Sequence, residues 1–221
     1  MKRSALAVFL CLTALYVVTC FAQDRGAGLK IAHRVEKSDA RVPAVLPAAP
    51  AKMIYSNLGP AANRYSIGNG IFVAGPSATG TSNQFVGLPF TPKANSTVTE
   101  VEVAVQYDGA GANQVNLSLY TDAGGSPGTI IAGPQTITNL STFGTCCSLT
   151  TWKLSAGLSV AAGTQYWIVA DTPATGTGDD FRGVWDFAYS SKFYEVTHGS
   201  GWTKNTSFLY LPAGAVFGTV P

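Results

Sequence analysis

One stretch limits what this chain can fold into: apolar and polar residues alternate from Val98 to Tyr107, and again from Val115 to Tyr120. Successive side chains on a β-strand point to opposite faces. In the first run Val101, Val103, Val105 and Tyr107 therefore share one face, with Glu100, Glu102 and Gln106 on the other. In the second, Val115, Leu117 and Leu119 form the apolar side. Asp108-Gly109-Ala110-Gly111-Ala112-Asn113 between them reads as a turn. The two runs thus predict a central β-hairpin whose oily face a second sheet has to cover.

The rest of the chain fits that demand. Charged residues make up only 12% of the 221, where helix surfaces would need many more, and 24 Gly with 12 Pro supply turns. Strand candidates separated by turn residues recur: Met53–Ser56 as an edge, Gly70–Ala74, Asn83–Phe90, Thr129–Ile137 with a bulge at Gly133-Pro134, Leu149–Leu154, Gln165–Ala170, Phe181–Phe187 and Ser207–Phe217. No amphipathic helix stands out. The expectation is an all-β chain, an antiparallel jelly-roll-like β-sandwich of about ten strands.

The N-terminus predicts export. Lys2 and Arg3 precede the apolar run Ala5–Val18, and Cys20-Phe21-Ala22 places small residues where a signal peptidase reads them. Residues 1–22 are expected to be a signal peptide, 23–52 a disordered Pro/Ala-rich linker, and 53–221 the β-sandwich domain. Lipidation at Cys20 is the alternative, with Thr19 a poor residue before it. No second apolar run has spanning length. The expected location is therefore secreted and extracellular, with no membrane span after cleavage; a periplasmic or lipid-anchored product is the lesser alternative. Residues 53–221 hold six bases against nine acids, so a nucleic-acid partner has no electrostatic footprint.

Cys11 and Cys20 leave with the signal, and Cys146 and Cys147 remain side by side. An oxidising compartment favours a vicinal disulfide. Against it, a trans peptide holds the two Cα atoms about 3.8 Å apart, short of the usual range of about 4.4–6.8 Å. Two buried free thiols are the other reading.

Four segments carry a resemblance. Phe90-Thr91-Pro92 leading into V-T-E-V-E-V-A-V, then N-L-S-L-Y-T-D-A-G-G-S-P-G-T, T-F-G-T-C-C-S-L and L-S-V-A-A-G-T-Q-Y-W-I-V-A, resemble the choice-of-anchor R type domain. That is a secreted bacterial β-sandwich family of uncharacterised function, often followed by a C-terminal sorting signal. The likeness covers roughly 54–217, its most specific parts being the T-C-C pair and the G-T-Q-Y-W strand. It implies an extracellular β-sandwich. The chain ends at Phe217-Gly218-Thr219-Val220-Pro221 without an apolar tail, so free secretion is expected over surface retention.

The search for chemistry returns little. His198 is the only histidine of the domain, and the chain has no G-x-S-x-G, H-E-x-x-H or phosphate-binding loop. Glu100 and Glu102 would lie about 6.5–7 Å apart along a strand, near an inverting-glycosidase spacing, but alternating Glu and Val is also what a solvated strand looks like. Asp171, Asp179 and Asp180 border one loop and could offer oxygen ligands to Ca²⁺, although Asp in turns needs no metal; no other cofactor is expected. Trp185, Tyr189, Tyr194 and Trp202 form an aromatic set suited to stacking on sugar rings, or else to filling a sandwich core. The resulting expectation is a non-catalytic, exported structural or adhesive module whose partner is an extracellular glycan, cell-surface or matrix component. A carbohydrate-binding module is the first alternative and a glycoside hydrolase the second.

Overall fold

A computed structural model describes residues 50–60, 64–188, 194–197, 201–205 and 210–221. Among these there is no helix, and thirteen strands form three sheets paired antiparallel. The four-stranded sheet has the order β1-β13-β4-β8, with β1 Lys52–Ser56, β13 Gly214–Thr219, β4 Ser96–Val103 and β8 Thr150–Val160. The three-stranded sheet is β2-β10-β5, made of Ser66–Ala74, Arg182–Phe187 and Val105–Ala110. The six-stranded sheet runs β12-β11-β3-β9-β6-β7, from Thr203–Asn205 and Tyr194–Thr197 through Phe85–Phe90, Tyr166–Asp171 and Gln114–Asp122 to Pro127–Thr138. The result is a sandwich-like all-β fold, and most of the expected strands appear close to their expected places; of the expected Ser207–Phe217, residues 207–209 lie outside the described residues and the strand found is Gly214–Thr219.

The expected central hairpin does not form. β4 pairs with β13 and β8, β5 pairs with β10, and β6 pairs with β9 and β7. The two alternating runs thus lie in different sheets. Alternation reports which face of a strand is covered, not which strand lies beside it. The chain changes sheets at Ala104, where backbone bonds stitch the layers: Ala104 N–H to the Ala213 carbonyl, Asp186 N–H to Ala104, and Ala213 N–H to Asp186. Here the two-residue period fails, and Val103, Ala104, Val105 and Gln106 are all buried. Gln106, placed on the solvent face by alternation, has no exposure at all.

The core draws on both layers: Val98, Val101 and Val103 from β4, Leu88 and Phe90 from β3, Leu117 and Leu119 from β6, Ile168 from β9 and Trp185 from β10. Val98 and Val101 both point inward, although an unbroken strand would oppose them. A bulge on β4 resolves the conflict: Thr99 is an extra residue between the pairs Val98–Gly218 and Glu100–Phe217, and Leu154–Gly157 of β8 bulge out at the same place. The bulge on β8 keeps that strand extended through Ser155-Ala156-Gly157, where the sequence reading ended it at Leu154. It also demands glycine: a Cβ on Gly157 would sit 2.4 Å from Thr97 Cγ2. The expected irregularity at Gly133-Pro134 is present as a register shift in β7 opposite Leu117 and Leu119.

Candidate functional site

The residues predicted to bind ligand do not form one surface. Trp185 is fully buried on β10, and its indole N–H donates to the Ala213 carbonyl at 2.9 Å. It cannot stack on an external ring, so it leaves the ligand set and joins the core. β10 has a paired strand on each side and a covered face above and below, which the apolar-polar-apolar sequence Trp185-Asp186-Phe187 could not reveal. Tyr189 and His198 lie outside the described residues, and Tyr194 is described only as part of the β11 backbone. Trp202 is half-buried, packed with Trp167 and Pro127 around the space that Gly87 leaves empty. Trp167 is itself held from below, since Asp122 Oδ1 accepts from its indole at 2.9 Å and from Gln165 Nε2 at 2.7 Å. Burial pushes the Asp122 carboxyl up, but these bonds and the Gly125 N–H outweigh it and hold the group below its ordinary value.

The three aspartates weighed for Ca²⁺ are drawn to separate partners. Asp179 accepts from the Ser77 hydroxyl at 3.1 Å, and Asp180 from the Ala112 N–H at 3.0 Å. Asp171 closes β9 beside Asn116, its carboxyl raised to about 6 by burial, with the Asn116 hydrogen bond acting the other way. No group of three His, Cys, Asp or Glu that could hold a metal occurs among the described residues. Glu100 and Glu102 keep to the outer side of β4 as expected. Glu100 faces Lys153 at 4.0 Å. Burial raises the Glu102 carboxyl; Arg64 opposes that rise and Glu100 adds to it.

Cys146 and Cys147 are joined as a disulfide across a cis peptide. Their loop is tied to the core by two residues that sequence reasoning missed. The Tyr65 hydroxyl lies 3.1 Å from the carbonyls of both Thr145 and Ser148, the residues flanking the pair. Gln106 Nε2 donates to the Thr145 carbonyl at 2.6 Å and to the Tyr65 oxygen at 3.1 Å, while its Oε1 accepts from the Gly144 N–H. Beside this network sits Asp186, fully buried, with neither carboxylate oxygen hydrogen-bonded. Burial raises its carboxyl to about 7, with the Gly68 amide opposing from beyond hydrogen-bonding geometry. A lone acid between the large apolar residues Trp185 and Phe187 was the only sequence signal for it.

Because the bridged residues are neighbours, the disulfide closes almost no chain, and hydrogen bonds rather than the bridge hold the loop. Replacing both cysteines with serine is expected to change unfolding free energy by no more than about 1 kcal/mol. Urea unfolding with and without reductant checks this.

The structure also shapes a cavity of ≈ 530 Å³ that no sequence pattern foretold. It opens where β1 passes the end of β3, over the entry to β9. Its apolar part comes from Ile54, Tyr55, Pro89, Phe90 and Leu211, with Met53 at the rim and 62% exposed. Rings line up beneath it: Tyr55 to Phe90 at 5.9 Å and Phe90 to Tyr166 at 5.7 Å. Burial pushes the Tyr55 phenol up to about 12. Ser56, Thr91, Lys93 and Gln165 supply the polar side. An apolar hollow with a few converging polar groups is the usual form of a small-ligand site.

No family model, curated protein sequence or solved structure matches this chain.

Proposed function

We propose that this chain is an exported, non-catalytic β-sandwich of jelly-roll type with a structural or adhesive role outside the cell. The observation that carries the reading is the connectivity. The chain passes from the six-stranded sheet (β3) to the four-stranded (β4), through the three-stranded (β5) to the six-stranded again (β6 and β7), across to the four-stranded (β8) and back once more (β9). Such crossing between layers supports a jelly roll over a simple meander. The Lys2-Arg3 leader with its apolar run supports export, as does the likeness to secreted bacterial domains.

Full-length chain expressed in a secreting bacterial host should appear in the medium beginning at Gln23, and mass spectrometry of the secreted product checks this. An uncleaved product confined to the cytoplasm would refute export. Carbohydrate binding is the second reading, favoured by the aromatic cavity beside β1. Hydrolysis through Glu100 and Glu102 stands behind it. Polysaccharide cleavage by the wild type that is lost in Glu100→Gln and Glu102→Gln would replace the non-catalytic reading.

A further inference from the structure

We propose that the cavity beside β1 is a binding site for an acidic sugar residue of a glycan. Its polar groups are arranged on one side of an apolar bed. An amphipathic ring with a C–H face and hydroxyls at its edge has the same division, and stacked C–H faces with edge hydrogen bonds use both halves. The free bonding capacity is of the right kind. Gln165 spends its Nε2 on Asp122 and keeps Oε1 as an acceptor with no partner among the described residues. Ser56 Oγ accepts from the Leu58 N–H and keeps its own hydrogen to donate. Thr91 is exposed and adds a hydroxyl.

The charge selects the acid. Lys93 lines the cavity and pairs with no carboxylate among the described residues, whereas Lys153 and Arg182 are matched to Glu100 and Asp108. An unmatched ammonium at the rim of an apolar hollow attracts an anion more strongly than it would in open water. The volume of ≈ 530 Å³ falls within the range of small-ligand sites and suits one or two sugar units. This inference deepens the adhesive reading by naming a partner class, and rests on that reading only for the compartment where such a glycan would be met.

The test uses the full chain with oligogalacturonate, a matched neutral galacto-oligosaccharide, and benzoate, each titrated by calorimetry at low and high salt. Oligogalacturonate is expected to bind, more weakly as salt rises, with at least about tenfold preference over the neutral oligomer, the scale of one partly desolvated charge contact. Lys93→Gln should remove that preference. Met53→Trp, at an exposed rim position, should block the hollow and lower affinity for both sugars. Lys153→Gln, on another sheet face, should change nothing. Equal binding of the neutral oligomer, unchanged binding by Lys93→Gln, binding of benzoate but no sugar, or no binding at all would each overturn the proposal. Circular dichroism of each variant separates a lost site from a lost fold. Because the assay uses purified protein, a negative result refutes the site while leaving export to be decided by fractionation.

Discussion

Trp185→Ala is expected to destabilise the domain by about 3–5 kcal/mol, the usual cost of removing a large buried ring. The indole is fully buried at the junction of the three-stranded and four-stranded sheets, and its N–H satisfies the Ala213 carbonyl. Truncation would open a cavity and remove one of the two hydrogen bonds that the Ala213 carbonyl accepts, leaving the one from the Ala104 N–H. Against a total stability of about 5–15 kcal/mol for a domain of this kind, the loss would take a fifth or more. Trp185→Phe keeps most of the ring but not the donor, so a smaller loss is expected. Guanidinium unfolding of the wild type and both variants measures this. A loss under about 1 kcal/mol for the alanine variant would mean that the ring is not packed as described and would return it to the candidate ligand surface.

The second large effect concerns Asp186. Its carboxyl stands at about 7 in the fold against an ordinary 3.8, because burial without a hydrogen-bond partner disfavours the charged form. Between about pH 4 and pH 7 the folded chain therefore holds a proton that the unfolded chain has released. The stabilisation is complete below about pH 4 and is lost as pH rises through about 7. Asp171, raised to about 6, works in the same direction, so the wild type has more than one source of slope. Asp122 is depressed and works in the opposite sense at acid pH. Asp186→Asn, neutral at every pH, removes one source alone. Its stability relative to wild type should climb by roughly 2–4 kcal/mol from pH 4 to pH 8. Urea unfolding across that range reads the difference, and parallel curves would show that Asp186 ionises freely in the fold.

These two neighbours on β10 show how far local pattern reaches. Trp185 and Phe187 on one strand face were legible as an apolar stripe, but core wall and binding platform present the same stripe. Only the strands on both sides of β10 decide between them. Asp186 reads as the solvent-facing residue between them, and becomes buried because both faces of that strand are covered. Gln106 met the same fate on β5. The candidate cavity was least legible of all, since Tyr55, Phe90 with Lys93, and Gln165 come from three separate segments that share no spacing in the chain.

What the amino-acid order decided by itself was local: an all-β chain, the positions of most strands, the edge role of Met53–Ser56 and the bulge at Gly133-Pro134; the leader read at 1–22 lies outside the described residues. Each follows from side-chain alternation, backbone-restricting Gly and Pro, or a run of like residues, which act over a few positions. The tertiary structure decided the partners. It placed Val98–Val103 and Val115–Leu119 in different sheets, drew Tyr65 and Gln106 onto the loop of Cys146 and Cys147, and shaped the hollow beside β1. Strand pairing and burial are settled by contacts between residues tens of positions apart, and such contacts leave no periodic trace in the sequence.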